Sequence, residues 1–134
     1  MIVNFAVKHN IINLMEGYEP RKGDPLQYAK SLRPNAFAAE EAFLQNWQAR
    51  EIAFTDVEHL HITLFFDYNE SSYPKNSQKL AKTKKGYSCV IYLNADDLCR
   101  NGIERPQSEI LAYLNLQIEK MIDRLIGLVR AKDK

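Results

Sequence analysis

The spacing of apolar residues changes several times along the chain, and each change marks an element. Residues 1–8 are short and apolar, with Ile2, Phe5 and Val7 in rough alternation and Asn4 the polar interruption. This predicts a strand, central rather than at an edge. After Asn10, the positions Ile11, Ile12, Leu14, Met15 and Tyr18 fit a short helix that ends near Gly17. Asp24-Pro25 reads as a second helix start, with Asp24 as cap and Pro25 in the first turn. Leu26, Tyr28, Ala29 and Leu32 supply about two turns, and Pro34 is read as the stop. Asn35 is then read as the cap of a third helix over 36–50, with Phe37, Phe43, Leu44 and Trp47 near one face.

The period switches to two over 57–68. Leu60, Ile62, Leu64 and Phe66 fall on one parity, and His59, His61, Thr63 and Phe65 on the other. Residues 87–93 (Tyr-Ser-Cys-Val-Ile-Tyr-Leu) read as another strand. Asn94 reads as the cap of one or two helical turns that Gly102 ends, and Pro106 opens the longest helix, 107–130. There Ile110, Leu111, Leu114, Ile118, Met121, Ile122, Leu125 and Val129 form a stripe at three and four spacing, read as packing on a sheet. The predicted order is β-α-α-α-β-β-α with a small extra helix. The fold class is α+β: a single domain over 1–134, with a small, mostly antiparallel sheet, helices packed on it and a long C-terminal helix.

Composition narrows the function more than it defines it. The chain has 134 residues, 46% of them hydrophobic and 26% charged, which is ordinary for a globular protein. The net charge of +1 excludes the large basic excess of a dedicated nucleic-acid binder. The charge is nevertheless segregated. Residues 69–86 hold five lysines against Glu70, and the rest of the chain is net acidic. That long polar connection is expected to be mobile. No run approaches the ~20 apolar residues of a membrane span, and the N-terminus lacks a basic leader. A cytoplasmic protein with no membrane partner is expected. Cys89 and Cys99 match no metal-binding spacing and are expected to be reduced thiols.

The sharpest local signal is His59-Leu60-His61-Ile62-Thr63-Leu64. In a strand His59, His61 and Thr63 share a face, where two imidazoles can chelate a metal or serve as acid and base. The plainer reading is a partly solvated sheet face, with no metal and no cofactor. The carboxylates Glu40-Glu41 and Asp96-Asp97 are sequence neighbours, and adjacent helical positions do not face each other, so neither pair is read as a catalytic dyad. There is no phosphate-binding glycine loop and no nucleophile elbow.

The segment His61-Ile62-Thr63-Leu64 resembles half of the two-histidine phosphoesterase pattern. That family uses two such motifs on neighbouring strands, one histidine as base and one as acid. Here only one copy exists: His9 is followed by Asn10-Ile11, and 87–93 has no histidine. In size, lack of active-site motifs and α+β order, the whole chain is similar to bacterial immunity proteins of polymorphic-toxin and contact-dependent growth inhibition systems. This resemblance implies a non-catalytic protein that binds and blocks a cognate toxin domain. The partner surface is then assigned by residue type to Glu40, Glu41, Trp47, Tyr68, Tyr73, Asp96 and Asp97, and no catalytic residue is expected. The phosphoesterase alternative would rest on His59, His61 and Thr63.

Overall fold

The computed structural model describes residues 1–11, 25–48, 57–69 and 79–132. The helix expected at 11–18 (beyond Ile11), the Asp24 cap, and residues 70–78 of the 69–86 connection, Tyr73 among them, lie outside the described residues. In chain order the elements are β1 (Ile2–Asn10), α1 (Pro25–Leu32), α2 (Pro34–Gln48), β2 (His59–Asp67), β3 (Ala81–Lys82), β4 (Gly86–Leu93), α3 (Ala95–Leu98), β5 (Cys99–Arg100), β6 (Ile103–Glu104) and α4 (Gln107–Lys132). The fold mixes α and β, with a long C-terminal helix, as the periodicity predicts.

The sheet itself differs from the expectation. Its strand order is β1-β2-β4-β3. β1 runs parallel to β2 from Ile2↔His59 to Asn10↔Asp67, and β2 runs parallel to β4 from His59↔Gly86 to Phe66↔Leu93. Only β3 is antiparallel, with Ala81 opposite Ser88 and Lys82 opposite Tyr87. β2 and β4 therefore do not form the expected antiparallel pair. The chain first descends as β3 and then turns back, with Thr83 N–H donating to the Gly86 carbonyl at 2.9 Å. β4 slots between β2 and β3, so the hairpin partner of β4 is the two-residue β3. The most central strand is β2, and β1 is an outer strand among those described.

The alternation on these strands sorts side chains onto two faces. Val3, Phe5, Val7 and His9 of β1 share a face with Leu60, Ile62, Leu64 and Phe66 of β2 and with Tyr87, Cys89, Ile91 and Leu93 of β4. α2 packs here: the Phe5 ring meets Phe43 edge-on at 5.4 Å and Trp47 at 6.1 Å. From α4, Ile110, Leu114, Ile118, Met121, Ile122, Leu125 and Val129 are buried in the same cluster, and Leu111 is packed against it. The stripe read from the sequence is thus the inner face of α4.

Pro34 does not stop a helix; it opens one. Arg33 N–H still closes on the Ala29 carbonyl at 2.8 Å, and α2 begins one residue later with its proline in the first turn, where a missing N–H costs nothing. The cap comes from 69 residues away. Glu104 accepts from Asn35 N–H at 3.0 Å and from Ala36 N–H at 2.7 Å. Asn101-Gly102, with φ of 53° and 76°, forms the tight turn joining β5 to β6 that brings Glu104 there. Gly102 is therefore a hairpin residue, not a helix terminator, and Cys99 lies in β5. Glu104→Ala should lower the unfolding free energy by about 1–2 kcal/mol, because two helix N–H groups and the α2 dipole lose their acceptor. Urea melts of the variant against the native chain check this.

Candidate functional site

At the C-terminal ends of β1 and β2, polar side chains gather, His9 on the inner face and Asn10 and Asp67 at the next register position. His9 Nε2 lies 3.3 Å from Glu40 Oε2, with both side chains largely buried, although the pair is out of line for a hydrogen bond. Three rings lie within 17° of parallel to the His9 imidazole: Phe37 at 5.0 Å, Phe66 at 5.1 Å and Tyr68 at 5.8 Å. Burial pushes the Tyr68 hydroxyl far above its ordinary range, and the Glu40 carboxylate adds to this, so it stays protonated. Beside it, buried Asp67 accepts from Asn10 Nδ2 at 3.2 Å and from Asn69 N–H at 3.0 Å. Asn69 Nδ2 donates in turn to the Asn10 carbonyl at 3.3 Å. These contacts tie the ends of β1 and β2 together and pack the histidine among rings.

The opposite face carries Ile2, Asn4, Ala6 and Lys8 of β1, His59, His61, Thr63 and Phe65 of β2, and Ser88, Val90 and Tyr92 of β4. All of them are exposed or half-exposed. Ile2 keeps 56% of its surface in solvent. Two ring pairs organise the face. His59 and His61 stack with centroids 5.8 Å apart and planes 21° apart, and Phe65 meets Tyr92 across the β2–β4 ladder at 5.6 Å and 64°. Thr63 lies beyond His61 on the same side. The shared face read from the sequence is therefore present, and neither of the helices that cover the inner face, α2 and α4, lies on it. Lys82, Lys84 and Lys85 are exposed at the β3 edge, with Lys82 on the parity of Tyr87, whereas Lys8 stands on the open face at the opposite, β1 edge.

His9 cannot complete a two-histidine pair with His61. Both lie on neighbouring parallel strands, but His9 points into the core and His61 into solvent. The sheet separates them, so one phosphate cannot sit between them.

The residues assigned to a partner surface by type do not gather. Glu40 is turned inward against His9, whereas Glu41 is exposed and 3.7 Å from Lys30. Trp47 is 4% exposed and packs on Phe5 and Phe43, and Tyr68 is 3% exposed within the ring stack. Both aromatics are core side chains, since residue type does not distinguish an anchor from a core ring. Asp97 accepts from Asn94 N–H at 3.0 Å at the start of α3, and Asp96 is exposed. Phe65, Val90 and Tyr92 were missed. Their signal was present, because they hold the parity opposite the buried positions of their strands.

Both cysteines are free. Burial pushes the Cys89 thiol up to about 12 and also raises that of Cys99, where Arg33 opposes the shift. Neither sulfur is held as a thiolate, the form that attacks or ligates. No described helix is long and apolar enough to cross a membrane. No protein family, curated protein or solved structure matches the chain.

Proposed function

We propose that this chain is a binding protein that neutralises a cognate bacterial toxin domain, and that the open sheet face is what the toxin meets. One observation carries the reading. Three parallel strands normally have both faces covered. Here α2 and α4 cover one, while the other leaves Ile2, Phe65, Val90 and Tyr92 in contact with solvent beside two histidines. Aromatic side chains held on a rigid sheet lose little freedom on binding, and they supply most of the energy at many interfaces. Exposed lysines at both sheet edges, Lys8 on β1 and Lys84 and Lys85 in the turn before β4, favour a partner with acidic groups.

The rival reading is a phosphoesterase built on His61 and Thr63. Its second same-face histidine, His59, stands beside His61 on the same strand and not across from it, and acid–base cleavage needs two groups flanking the phosphorus.

The test is co-expression with a toxin domain from the same cells, together with inhibition of the purified toxin. Phe65→Ala with Tyr92→Ala should weaken binding by at least about 30-fold, roughly 2 kcal/mol. Leu116→Ala, at an exposed position on α4, should leave binding unchanged. Equal protection by all variants would remove the sheet face from the interface. Phosphodiesterase activity lost on His61→Ala would overturn the binding reading itself.

A further inference from the structure

We propose that His59 and His61 form a two-point seat for a divalent transition cation of the class that favours imidazole: Zn2+, Ni2+ or Cu2+. The site differs from the sequence expectation of no metal, and it does not depend on the toxin reading.

The geometry comes from the strand. Residues two apart point to one face, and the two rings stack with centroids 5.8 Å apart. Two imidazoles sharing a tetrahedral metal, with bonds of about 2.0–2.1 Å, place their centroids about 5 Å apart. In the stacked arrangement, with planes 21° apart, the nitrogens do not converge, so both rings must turn about their side-chain bonds to share an ion. His61 is exposed and has room to do so. The backbone under the pair is already fixed, because β2 is laddered to β1 on one side and to β4 on the other. A cation would therefore order two side chains and no chain segment.

The chemistry of the surroundings selects the class of ion. His59 Nδ1 is buried and makes no hydrogen bond, so neither tautomer of that ring is committed to another partner. Across the ladders, His61 is flanked by Asn4 and Ser88, and His59 by Ile2 and Gly86. The seat thus has two imidazole nitrogens, the Asn4 amide and Ser88 hydroxyl nearby and no carboxylate at the flanking register positions. Such a donor set suits zinc, nickel and copper and does not suit magnesium or calcium. Among the described residues no group of three or more His, Cys, Asp or Glu gathers. The ion would therefore keep at least two coordination positions for water or an incoming donor, which is an open site and not a structural one.

The experiment uses the full chain without an affinity tag, titrated calorimetrically with the chloride salts of Zn2+, Ni2+ and Cu2+ in a non-coordinating buffer. One ion per chain is expected. His59→Ala and His61→Ala should each weaken binding about 100-fold, because the second nitrogen binds intramolecularly once the first is engaged. The double variant should bind none. Because His61 is exposed, His61→Ala should fold, and circular dichroism confirms that it has. As an independent readout, substoichiometric Cu2+ should broaden the amide signals of Asn4, Gly86 and Ser88 first, and should spare them in the double variant. Failure of all three ions to bind the native chain would overturn the proposal. So would binding that survives in the double variant.

Discussion

Leu114→Ala and Ile118→Ala should each lower the free energy of unfolding by about 2–5 kcal/mol. Both side chains are fully buried, one turn apart, on the face of α4 that closes the core. Removing either leaves a void where helix, sheet and α2 meet, and a close-packed interior relaxes only partly around such a void. Domains of this size are stable by about 5–15 kcal/mol, so one substitution removes a large share and the double variant should be largely unfolded at room temperature. Denaturant melts of both single variants measure the effect. Losses below about 1 kcal/mol at both sites would mean that the stripe does not face the sheet.

Gly86→Ala should be as damaging, for a different reason. A Cβ at Gly86 would run into the backbone carbonyl of His59 on the neighbouring strand. That carbonyl cannot retreat cheaply. His59 N–H is bonded to the Lys85 carbonyl at 3.2 Å, and Ile2 N–H holds the adjacent Glu58 carbonyl at 2.9 Å. The first rungs of both parallel ladders would have to part, at a cost of about 3 kcal/mol or more. Gly127→Ala provides the contrast. Nothing lies within 4 Å of a Cβ there, and alanine gains up to about 1 kcal/mol of helix propensity. Thermal melts should shift in opposite directions for the two variants. Equal shifts would show that the contact at His59 yields easily.

The elements were legible in the sequence wherever a regular period outlasted the noise. The α4 stripe and the Leu60-Ile62-Leu64-Phe66 alternation each name their buried face correctly. The pairing of strands was not legible. Proximity in sequence favours an antiparallel pair, but β3 is only two residues long and has no pattern of its own, and it takes the hairpin position beside β4. The Glu104 cap was equally hidden, since nothing local links position 104 to position 35. Its delivery was nevertheless written in Asn101-Gly102, a dipeptide suited to a tight hairpin turn. At the candidate site, His59 and His61 stood out by type. Phe65 and Tyr92 did not, because an aromatic in a strand is ordinarily read as core, although their parity already sets them opposite the buried positions.

Parallel pairing of β1 with β2 also sets an order of events during synthesis. Every rung of that ladder joins residues 57 positions apart. At about 5–20 residues per second, each β1 residue leaves the ribosome roughly 3–11 s before its β2 counterpart. For that interval the apolar N-terminal segment has no strand to join, and the β2 segment then waits again for β4. Native contacts of such sequence separation also close slowly after release. The early chain is therefore the stage most open to chaperone capture or to pairing between nascent chains. Lys8 and Asn4, which do not contribute to the core in the finished fold, are the polar breaks that keep the waiting segment from being a continuous apolar strand.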